Sequence, residues 1–236
     1  MKTTTRKSRR GFTLVELLVV IAIIVALAAL ATPQIFKALK RADLVEALNN
    51  VKQVKYSMDA FASDFDGQFP NDDTGPQVVE GGTGQGSSND YFRQLFLAGT
   101  TDSEFIFWVK KSPIAKKSPP DDKISQTGRP EAALILQAGD CHWAYMRDQN
   151  NTSKGARPLI LDGYQSGGNQ FNRDLWDGKV VVMRIDGSAK AVRMRLSDDK
   201  ILDASNQDML SSNATAWQGS GEVASTLLIQ PQKRNN

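Results

Sequence analysis

The chain has one cysteine, Cys141, and one histidine, His142, among its 236 residues. A lone cysteine excludes an internal disulfide, so the fold holds without covalent staples. A lone histidine leaves histidine-rich metal sites and serine–histidine–aspartate chemistry almost nothing to work with. Neighbours on a strand point to opposite faces, so Cys141 and His142 do not share a metal, and Cys141 reads as a small buried hydrophobe. Acids are also scarce at the start: the first is Glu16 and the next is Asp43. Lysines and arginines number 29 against 26 acids, but residues 1–11 hold Lys2, Arg6, Lys7, Arg9 and Arg10 and no acid. Without that leader the balance is 24 basic to 26 acidic side chains. The body is therefore no basic surface for nucleic acid, and no nucleic-acid partner is expected. No internal repeat is present.

What is abundant is apolar length. Residues 12–31 contain only two polar side chains, Thr13 and Glu16. As a helix they span about 30 Å, the thickness of a bilayer's hydrocarbon core. A carboxylate inside such a segment costs about 2–3 kcal/mol near its centre and less near its end, so Glu16 calls for a partner. The helical pattern continues beyond Pro33. Leu44, Leu48, Val51, Val54, Met58, Phe61 and Phe65 recur at steps of three or four, while Asp43, Glu46, Asn49, Lys52 and Lys55 fill the other faces. The spacing predicts one helix of about 80 Å, apolar all round in its first half and amphipathic in its second, kinked at Pro33.

Asp66-Gly67-Gln68-Phe69-Pro70 ends that helix. Residues 71–90 read as a polar loop around Gly81-Gly82-Thr83-Gly84-Gln85-Gly86, which lacks the preceding strand a phosphate cradle needs. A short helix over 91–98 follows, capped by Asn89-Asp90 and closed by Gly99. Strands are expected over 104–109, 132–138, 143–147 and 158–161. A hairpin is expected over 179–196, turning at Asp186-Gly187. The layout is a leader (1–11), a membrane or filament-core helix (12–33), an amphipathic second half (34–66), an α+β domain (67–200) and a polar, flexible tail (201–236).

Gly11-Phe12-Thr13-Leu14-Val15-Glu16, behind a short basic leader, resembles the N-terminal motif of type IV prepilins and type II secretion pseudopilins. Pro33 falls where such pilins carry a helix-breaking proline, and 66–70 is loosely similar to the Asp-x-Gly-x-Tyr-Pro pattern of major pseudopilins. The resemblance implies a pilin-like α+β subunit, its long N-terminal helix packed on a small antiparallel sheet. It implies cleavage between Gly11 and Phe12 by a prepilin peptidase, N-methylation of Phe12, and assembly through Glu16 and the Phe12 amine of a neighbour. It further implies an inner-membrane assembly platform and other subunits as partners. The precursor would be single-pass, with a cytoplasmic N-terminus and a periplasmic C-terminal domain. The product would be a structural filament, not an enzyme, for secretion, adhesion, motility or DNA uptake.

A second reading takes Ser8-Arg9-Arg10-Gly11-Phe12-Thr13-Leu14 as a twin-arginine signal cut after Ala29-Leu30-Ala31, releasing a soluble periplasmic enzyme or binding protein. It leaves Glu16 without a purpose and residues 37–65 as a free helix. Asp162, Asp174, Asp177 and Asp186 lie near glycines and read as turn residues. Asp198, Asp199, Asp203 and Asp208 are candidate calcium oxygens, as a loop supplies in major pseudopilins, although their spacing fits no standard calcium loop. No other cofactor or catalytic constellation is expected.

Overall fold

A computed structural model describes residues 12–165, 170–218, 222 and 224–234. Helix α1, Leu14–Asp64, runs 51 residues. The chain divides into two compact units, Met1–Ala42 and Asp43–Asn236. In the first, every residue from 12 to 39 is exposed, although Leu17, Leu18, Ile21, Ile24 and Leu27 are all apolar. Such a surface has no aqueous rationale. Pro33 lies inside α1. It cannot donate to the Ala29 carbonyl four residues earlier, and Thr32 hydrogen-bonds backwards to the Ala28 carbonyl at 2.7 Å.

The second unit begins on the amphipathic part of α1. Val51, Val54, Met58 and Phe61 are fully buried, with Leu44, Leu48 and Phe65 packed at the margin. Gly67 ends the helix in a left-handed conformation (φ 79°), its amide returning to the Ala62 carbonyl. A Cβ there would meet the tip of the Asn151 side chain at 2.6 Å, which can move aside, so it is the left-handed backbone that favours glycine.

Residues 71–90 include a one-turn helix, α2 (Gly75–Val78). Helix α3, Ser88–Leu97, follows. Its cap is Ser87, two residues before the expected Asn89, and Asp90 completes a capping box. Segment 104–109 forms a 3-10 turn, Glu104–Phe107, capped by Ser103, where a strand was expected. Segment 132–138 is turns that bury Ile135 and Leu136. Apolar runs this short fit a buried turn as well as a strand.

The expected strands at 143, 158 and 179–196 form. β1 is Trp143–Met146, β2 Pro158–Asp162, β3 Lys179–Arg184 and β4 Ala189–Arg193. Leu228–Ile229 adds β5. The sheet is wholly antiparallel in the order β4-β3-β2-β1-β5. Alternation sends Trp143, Tyr145, Val181 and Met183 to the α1/α3 side, and Ala144, Met146, Val180 and Val182 to the other. A register shift between Pro158 and Ile160 lets both Leu159 and Ile160 face the helices.

The far face is where the sequence reading fails. The stretch read as a flexible tail covers it with Ile201, Met209, Leu210, Ala214, Ala216, Trp217 and Ala224. Arg157, itself buried, holds that cover down. It stacks over the Trp217 ring at 4.6 Å, bonds the Ala216 carbonyl and pairs with Glu222. Apolar residues there are too sparse and irregular to show a period, yet each finds a place against the sheet.

Candidate functional site

Gly11 lies outside the described residues. Phe12 is 75% exposed, and helical structure starts two residues later at Leu14. Thr13 and Glu16 form a reciprocal cap over that start. The Thr13 amide and hydroxyl both donate to Glu16 Oε2, at 2.9 and 2.8 Å, and the Glu16 amide donates to Thr13 Oγ1 at 3.2 Å. This is the Thr-x-x-Glu capping box, which satisfies backbone donors a helix start leaves open.

The box changes the standing of Glu16. A carboxylate at a helix N-terminus meets the positive end of the helix dipole and two hydrogen-bond donors, so it is partly accommodated within its own chain. It has no cation: both bonds come from neutral groups, and Glu16 makes no ion pair with any described residue. Thr13, not singled out in the sequence reading, was visible there as the first letter of a Thr-x-x-Glu box before an apolar run.

Of the acidic candidates, Asp198, Asp199 and Asp208 line one concavity with Lys200, and each has a basic partner. Asp198 is clasped by the Arg195 guanidinium, which pulls its carboxyl down to about 2. Asp199 pairs with Arg173 and Asp208 with Lys200. Asp203 accepts from the amides of Ser205, Gln207 and Thr215, shaping its own loop. Among the described residues, no three acid, histidine or cysteine side chains form a metal-binding group. The Gly-rich segment leads to the start of α3, where a phosphate would sit. The Asp90 carboxylate already occupies it, taking the Gly86 and Ser87 amides at 3.1 and 2.8 Å.

One arrangement was missed. His142 is fully buried between Ser112, whose Oγ lies 2.7 Å from Nδ1, and Asp162, whose Oδ1 lies 2.9 Å from Nε2. Asp162 ends β2 and is no turn residue. Its Oδ2 accepts from Trp176 Nε1 and the Val181 amide. The residue types match a hydrolytic triad, but Ser112 Oγ already accepts from the Ile114 and Ala115 amides. Both lone pairs are spent and Ser112, His142 and Asp162 are all buried, so the hydroxyl can reach no substrate. The trio ties together the Ser112 loop, the residue that leads into β1, the end of β2 and, through the Val181 amide, β3. Cys141 beside it is buried as expected, and burial pushes its thiol up to about 12, too high for a reactive thiolate.

The description "Prokaryotic N-terminal methylation motif" belongs to a family model that matches residues 6–32. This is the type IV prepilin-like signal motif, and it spans the leader from Arg6 onward, Gly11, Phe12, Thr13 and Glu16. No curated protein and no solved structure matches the chain.

Proposed function

We propose that a chain carrying this motif is a pilin or pseudopilin precursor, cut between Gly11 and Phe12, methylated on Phe12 and assembled into a filament. One observation carries the reading: a continuous helix begins within the motif, at Leu14, and exposes a nearly all-apolar surface over residues 12–31. That surface must be covered by lipid or by copies of itself. The leader holds five basic residues and no acid, which supports a cytoplasmic N-terminus and a domain on the far side of the membrane.

Cleavage would place a cationic amine on Phe12, one residue before the Thr13 cap. The Thr13–Glu16 box supplies neutral donors only, so Glu16 retains its need for a positive partner in lipid. A neighbouring Phe12 amine meets that need and fixes the stagger between subunits. The twin-arginine reading gains nothing from the fold, since Ala29-Leu30-Ala31 lies within α1.

Two substitutions separate cap from charge. Glu16→Gln keeps an oxygen for the Thr13 donors but removes the charge; Glu16→Ala removes both. Both variants should be cut and membrane-bound, and both should lower filament yield at least tenfold by electron microscopy of sheared material. Filaments from Glu16→Gln at wild-type yield would show that the charge is not what assembly reads.

A further inference from the structure

Residues 17–42 contain no acid, yet Lys37, Lys40 and Arg41 crowd the end of that stretch. At about 100° per residue the three fall within one arc of about 100° on α1. Ile35, Phe36 and Leu39 lie outside that arc and are exposed and apolar. Lys37 and Arg41 are exposed and make no ion pair with any described residue. Lys37 and Arg41 are four apart, and like charges at that spacing on a helix repel, so this pair gains from an anion lying against it.

The position of the stripe says which anion. Phe12 to Lys37 is about 38 Å of helix at about 1.5 Å per residue. A bilayer's hydrocarbon core is about 30 Å, and with both headgroup layers it is about 40–45 Å. With Phe12 at the edge of the hydrocarbon core, Lys37 lies about 8 Å and Arg41 about 14 Å beyond the core's far edge, and both side chains lean back along the helix toward the opposite headgroup layer. Their apolar stems can follow the helix while the charged tips reach phosphate. We propose that Lys37 and Arg41 bind the headgroups of anionic phospholipid on the membrane face distal to Phe12. The proposal rests on residues 12–33 spanning the bilayer. Because the charges lie on one side, they would also fix the rotation and tilt of α1, which apolar length alone does not.

The test uses the full chain in detergent with equal amounts of phosphatidylglycerol and phosphatidylcholine, counting retained lipid by native mass spectrometry. Wild type should retain phosphatidylglycerol about tenfold over phosphatidylcholine, and Lys37→Gln/Arg41→Gln should lower that ratio about threefold or more, leaving what the leader's cations and Lys40 contribute. The leader's cations are the same in both chains, so the difference reads the stripe alone. Wild type without a preference, or a double variant whose ratio equals that of wild type, overturns the proposal; an acidic face of another subunit as the true occupant gives one of these two results. Failure of the spanning reading looks different, because the chain would then leave the membrane in an alkaline wash.

Discussion

Glu104 shows at the scale of one residue how much the domain tolerates. It is 1% exposed, Oε1 accepts from the Leu136 amide at 2.5 Å, and Oε2 has no hydrogen-bond partner among the described residues. Burial, reinforced by Asp140, Asp121 and Asp122, pushes its carboxyl from an ordinary 4.5 to about 7. The folded chain therefore holds this proton more tightly than the unfolded one. Stability should be unaffected by Glu104 below about pH 4.5, fall between about pH 4.5 and 7, and stay lowered above that, by up to about 3 kcal/mol. Glu104→Gln removes the titration. The difference in unfolding free energy between variant and wild type should grow in the variant's favour across that window, and a difference flat in pH contradicts the account. The Ser112–His142–Asp162 trio is the opposite case, a fully partnered buried network. Asp162→Asn must aim an amide NH2 at a donor on one side or the other. It should cost about 1–3 kcal/mol in denaturant unfolding, and no measurable cost would mean the network does not hold the strands. Neither residue was legible in the sequence. Glu104 lay in an expected strand, and a lone histidine gave no sign of the serine and aspartate that meet it, which are 30 and 20 positions away.

Elements with a strict period were legible, and those without one were not. The α1 stripe and the Asp186-Gly187 hairpin follow from repeats of 3.6 and 2 residues that burial on one face imposes. Val180 to Val182 gives a continuous apolar run because both faces of β3 are covered. The cover on the second face has no period, since residues 201–217 pack as successive turns with single apolar anchors. Trp217 is the largest of these, 1% exposed and bonded from Nε1 to the Met209 carbonyl. Trp217→Ala should cost about 3–5 kcal/mol in denaturant unfolding. A loss below about 1 kcal/mol would return this segment to the peripheral role the sequence suggested.

For the whole molecule, the functional information sits at one end. The candidate site of Phe12, Thr13 and Glu16 was legible except for its cap, because the motif is read locally by sequence and needs no fold to assemble it. The second unit is an α+β body whose histidine and cysteine are buried and whose Gly86 amide is taken by Asp90. The central claim is that residues 1–11 are a leader removed at Gly11. Intact-mass and N-terminal peptide mass spectrometry of the protein from its native membrane tests it most directly. The account predicts a mature chain starting at N-methylated Phe12, and a chain starting at Thr32, or one retaining Met1, would contradict it.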